Sequence, residues 1–155
     1  MSILAHRTEV PAEKTAAEIQ TRLVKARAQA VLMECDREGV LTHLSFRVDT
    51  KRGVIAFRLP ANVDGVHRLL LADAKLTRAQ RGREQAARVA WRICKTWVVA
   101  QLAVIEAGMA QLPEVFLPYA QDPATGETVY ERFERQGLPA LGHDARPALP
   151  APDAA

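Results

Sequence analysis

Residues 30–59, AVLMECDREGVLTHLSFRVDTKRGVIAFRL, place apolar side chains at every second position in three short runs. In the first, Val31, Met33 and Cys35 alternate with Leu32, Glu34 and Asp36. In the second, Leu44, Phe46 and Val48 alternate with His43, Ser45 and Arg47, and in the third Ile55, Phe57 and Leu59 alternate with Val54, Ala56 and Arg58. Successive side chains of a strand point to opposite faces, so this period of two describes strands with one buried face. Arg37-Glu38-Gly39 and the polar loop Asp49 to Gly53 are short enough to join neighbours antiparallel. The stretch predicts a three-stranded antiparallel meander with one face against helices, and Cys35 falls on its inward side as an inert thiol.

Working outward, the period changes to that of helices. Upstream, Ala16, Ile19, Leu23 and Ala26 form one stripe across residues 12–28, with Thr15 and Glu18 spaced as a capping box. Downstream, Pro60 stops the third strand, Asn62 is a suitable N-cap, and Val63, Val66, Leu69 and Leu70 make a short helical face to about Ala72. Thr77 with Gln80 is a second capping box, from which a helix is predicted to run to Ala107 and stop at Gly108, about 30 residues or roughly 45 Å. Leu112 to Tyr119, with Pro113 at a first helical position, adds a short turn, and Thr128 to Arg135 a final helix or strand. The fold class is α+β: an N-terminal helix, the meander, a short helix and one long helix packing on the sheet. Residues 1–136 read as one domain. The remainder, 137–155, holds Pro139, Pro147, Pro150 and Pro152 among alanines and predicts a disordered tail.

With 155 residues, 48% hydrophobic and 25% charged, the composition is that of a globular chain. Cys35 and Cys94 have no paired spacing, so neither a disulfide framework nor a zinc knuckle is indicated, and a cytoplasmic location fits. The longest apolar run, Trp97 to Met109, is broken by Gln101 and Glu106, and the first residues lack a cleavage-site pattern, so neither a membrane span nor a targeting peptide is expected. Net charge is +3, unevenly spread. Residues 1–46 hold six basic and six acidic side chains, residues 47–95 twelve basic against four acidic, and residues 96–155 three basic against eight acidic. The middle is where an anionic partner would bind.

Within that middle, Arg81, Arg88, Arg92 and Lys95 fall within about 60° of one another on the predicted long helix and form a basic ridge left in water, opposite an apolar side of Ala87, Ala90, Cys94, Trp97, Val98 and Ile105. Trp91 lies at the flank of the ridge, placed for core packing rather than for stacking on a base. Arg47 and Arg58 on the outward face of the meander, and Arg52 in its second loop, are assisting cations. That face has no aromatic residue, which argues against base stacking on the sheet. Catalysis finds little. His6, His43, His67 and His143 lack ligand spacing, so no metal or other cofactor is expected. No GxxxxGK[ST], GxGxxG or GxSxG occurs. The chain reads as a non-enzyme. A small sheet would leave part of the long helix's apolar flank bare, which points to a homo-oligomer.

Five stretches resemble a family of small uncharacterised proteins of bacteriophages and integrated elements. They are Val10 to Gln20, Phe57 to Val63, Gln85 to Lys95, Gln101 to Met109 and Glu114 to Tyr119. The likeness covers residues 8–135. It implies no catalytic residue, and its context favours action on nucleic acid or on a host protein. Element order is also similar to that of phage single-strand annealing proteins. The expectation is sequence-independent nucleic-acid binding, single-stranded DNA foremost. The alternative is a non-enzymatic module that contacts a host protein through the apolar helix and the acidic last third.

Overall fold

The computed structural model describes residues 7–137, and the tail expected beyond Gly137 lies outside the described residues. Helix α1 spans Ala12–Lys25 and buries Ala12, Thr15, Ala16, Ile19 and Leu23, the predicted stripe extended by one turn toward the N-terminus. Its capping box does not form. The helix already begins at Ala12, so Thr15 lies inside it with its hydroxyl turned back to the Pro11 carbonyl, and Glu18 is spent elsewhere.

Strands β1 (Ala30–Cys35), β2 (Leu41–Thr50) and β3 (Gly53–Arg58) form an antiparallel sheet in the order β1-β2-β3. Leu44, Phe46, Val48 and Phe57 are buried on its inner face, as the alternation requires. The register slips between Glu34 and Cys35. That bulge ends the alternation one residue early and leaves Cys35 exposed, which corrects the inward placement expected from sequence. Between β1 and β2, Asp36 Oδ1 accepts from the Glu38 and Val40 N–H groups while Gly39 takes φ 78°.

Helix α2 (Val63–Ala72) is capped by Asn62, whose side-chain oxygen accepts from Gly65 N–H at 2.8 Å. The predicted 30-residue helix is divided. Thr77 and Gln80 exchange the two bonds of a capping box, but these close a 3-10 turn at Ala79–Arg81. Gly82, with ψ 156°, then turns the chain out of helical geometry, and α3 begins at Arg83 and ends at Glu106. Gly108 at φ 71° ends it in a Schellman arrangement, its N–H on Ile105 and that of Met109 on Val104. Helix α4 (Leu112–Phe116) continues into a 3-10 turn at Leu117–Tyr119, and α5 spans Val129–Gln136 behind a Thr128/Glu131 capping box. Before α5, Ala120 bridges Phe57 and Gln121 N–H donates to Ala56, so this segment occupies part of the outer edge of β3.

One apolar core joins the inner face of the sheet to α1, α2, α3 and α4. Trp91 of α3 lies at its centre, fully buried, with its indole N–H donating to the Leu41 carbonyl at 2.9 Å. Phe46, Phe57 and Phe116 pack ring to ring at centroid distances of 5.3–6.1 Å and tie the C-terminal segment to the sheet.

Candidate nucleic-acid interface

The predicted ridge comes together only in part. Arg88, Arg92 and Lys95 share one side of α3, where α1 packs alongside. Arg81 is outside the helix, in the 3-10 turn, and donates to the Ala74 carbonyl at 3.0 Å. Arg88 is paired with Glu84 one turn earlier, at 2.6 Å, and Lys95 with Glu18 of α1. The Lys95 hydrogen bond, opposed by desolvation, lowers the pKa of Glu18, and Lys14 and Arg92 add to this through space. Arg92 itself has no carboxylate at ion-pair distance among the described residues. The ridge is therefore half neutralised and half sheltered by α1, where the sequence reading placed it free in water.

The assisting cations divide similarly. Arg47 stands exposed near the middle of the outer sheet face and Arg52 in the β2–β3 turn, neither with a carboxylate partner among the described residues. Arg58 is held by Glu131 of the α5 capping box. Arg83, which sequence reasoning passed over, is instead a clamp. Its guanidinium donates to Asp36 at 2.9 and 3.1 Å and to Asp64 at 2.5 Å, with Glu38 3.9 Å away. Asp36 is held below the ordinary aspartate range by the Val40 N–H and then by Arg83, and Asp64 by Arg83 first. No spacing in the sequence announced this cluster, because its members lie on a turn and two helices up to 47 residues apart.

Of the twelve cations in residues 47–95, Arg58, Arg83, Arg88 and Lys95 have carboxylate partners and eight do not among the described residues: Arg47, Lys51, Arg52, Arg68, Lys75, Arg78, Arg81 and Arg92. Lys75, Arg78 and Arg81 belong to the single α2–α3 connection. Asp73 accepting from Lys75 N–H and Arg81 reaching Ala74 fold it into a compact turn. The sequence showed the charge excess of residues 47–95 but not this concentration, which gains a surface only through that turn.

Other chemistry is sparse. Cys94 is buried, and desolvation pushes its thiol up to about 12, so it is no nucleophile at neutral pH. His43 lies opposite Glu34 across the strands and its ring Nδ1 is 3.0 Å from the Thr42 hydroxyl. Among the described residues no three His, Cys, Asp or Glu side chains gather as a metal would need, and no helix is long and apolar enough to cross a membrane. An apolar groove of about 280 Å³ runs between Val66, Ile93, Trp97 and Tyr119. The flank of α3 expected to be bare is covered in part: Trp97 meets Phe116 and Tyr119 edge-on at 5.4 and 5.2 Å, while Ile93 and Trp97 still line the groove. No protein family, no curated protein and no solved structure matches the chain.

Proposed function

We propose that the protein binds nucleic acid without sequence preference, as a small phage-type protein acting in the cytoplasm on single-stranded DNA. The observation that supports this is the set of eight cations between Arg47 and Arg92 with no carboxylate partner among the described residues, six of them exposed and three gathered on the α2–α3 connection. Exposed cations without an internal partner attract anions, and phosphates are bound by such charge without needing a shaped pocket. The outer sheet face lacks aromatic side chains and Trp91 is in the core, so neither offers a stacking platform for bases, and contacts made there fall on the backbone of the strand.

Fluorescence anisotropy of labelled single-stranded DNA, duplex DNA and RNA tests this across salt. Four phosphate contacts on a single strand give a slope of log K against log salt of about −3. Arg78→Glu with Arg92→Glu weakens binding to every sequence alike and lowers the slope magnitude by roughly 1.4. Absence of binding at low salt overturns the reading. A second reading, a module for a host protein, is favoured by α5, whose Tyr130 and Phe133 are 50% and 40% exposed. A stoichiometric, nuclease-resistant protein partner lost in Phe133→Ser supports it.

A further inference from the structure

We propose that two copies of the chain join through the free edges of their β1 strands, antiparallel about a two-fold axis at Leu32, into one six-stranded sheet. The sheet has two outer edges. That of β3 is partly occupied by Ala120 and Gln121, whereas β1 bridges only β2 among the described residues. Residues 30–35, AVLMEC, contain no proline, glycine or basic residue; of the devices by which an edge strand is usually kept from pairing, this one carries only the charge of Glu34 and the bulge at its end. The inward side chains of β1, Val31 and Met33, are only half-buried, while Leu44 and Phe46 beside them on β2 are fully buried. The core thus stops short at this edge, and Leu32 on the outer face is 58% exposed.

The register follows from the bulge. Regular pairing ends between Glu34 and Cys35, so the straight part of β1 is Ala30 to Glu34 and its centre is Leu32. Side chains directly opposite one another across antiparallel strands share a face, which permits two-fold axes through a residue and forbids those between residues. Centring on Leu32 sets Leu32 against its own copy, Val31 against Met33 of the second copy, and Ala30 against Glu34 of the second copy. Centring on Met33 would set the exposed Leu32 against Glu34. Charge favours the first arrangement. Arg47 lies beside Ala30 on β2, exposed and without a carboxylate partner among the described residues. In the joined sheet it reaches across the small Ala30 toward Glu34 of the second copy, two strands or roughly 9.6 Å away, within the span of the two side chains. Symmetry makes this ion pair twice, flanking the central leucines. Because the contact is two-fold and uses the same edge of both chains, pairing closes at two copies and no filament grows.

The test is made on the full chain without nucleic acid, so it stands or falls apart from the nucleic-acid reading. Sedimentation across a wide protein concentration range should show a monomer–dimer equilibrium. Leu32→Lys, at an exposed position, should give a monomer with an unchanged far-ultraviolet spectrum. Glu34→Arg and Arg47→Glu should each weaken dimerisation by about tenfold, and the two together should restore it. In a Cys35→Ser background, Leu32→Cys should oxidise rapidly to a cross-linked dimer, since paired strands bring Cα atoms to about 4.5–5.5 Å. Val54→Cys, 59% exposed on the same face but away from this edge, should not. A monomer at every concentration, including one whose edge is covered by residues of its own chain, overturns the proposal. So does a dimer that Leu32→Lys leaves intact.

Discussion

Arg27 holds φ 70° immediately after α1, the conformation that glycine adopts without strain. Its N–H bonds to Val24 and that of Ala28 to Leu23, so α1 closes in a Schellman motif with an arginine where a glycine is customary. An L-residue in this region costs about 1 kcal/mol or more. Arg27→Gly should therefore raise the free energy of unfolding by about 1 kcal/mol in urea titrations, without altering the fold. Nothing in the run KARAQA marked the position, because a C-cap is recognised by glycine or asparagine and here the geometry is imposed by the return of the chain into β1. Trp91 was legible by contrast: a large apolar side chain at helical spacing belongs in a core, and the structure adds only its Leu41 partner.

At the level of elements, local chemistry carried most of the reading, and it misled where one signal had two possible uses. The Thr77/Gln80 box is real but caps a single 3-10 turn, because Gly82 leaves helical geometry straight after it and α3 must start anew. The Asn62 cap of α2 depends on a glycine for room. A Cβ on Gly65 would stand 2.6 Å from Asn62 Nδ2 and 2.9 Å from its Cγ, closer than side-chain carbons come. In the native background, Gly65→Ala should gain about 1 kcal/mol of helix propensity and lose a comparable amount by displacing the cap. In an Asn62→Ala background only the gain remains. A double-mutant cycle by chemical denaturation should show that coupling of about 1 kcal/mol.

Across the whole molecule, Arg83 joins the β1–β2 turn, the start of α2 and the start of α3 through Asp36, Glu38 and Asp64. Both aspartates have folded-state pKa values below their ordinary ones, so their contribution to stability is complete above the ordinary aspartate range and is lost as pH falls through it toward the folded values. Arg83→Ala should lower the melting temperature at neutral pH, and its difference from the native chain should shrink as thermal scans are taken into that acid range. The Val40 N–H keeps part of the Asp36 effect in the variant.

The sequence by itself determined the meander, the helices around it and nearly every inward side chain, because a period of two or 3.6 and the caps that bound it are properties of neighbouring residues. It also located the excess of positive charge. Tertiary structure alone decided which of those charges remain available. Lys95 meets Glu18 across 77 residues, Arg58 meets Glu131 across 73 and Arg83 meets Asp36 across 47, pairings that exist only once separate elements pack side by side. The same packing set Phe116 edge-on against Trp97 and, among the described residues, left β1 with β2 as its one strand neighbour, because burial and edge exposure are set by what lies alongside an element and not by its own pattern.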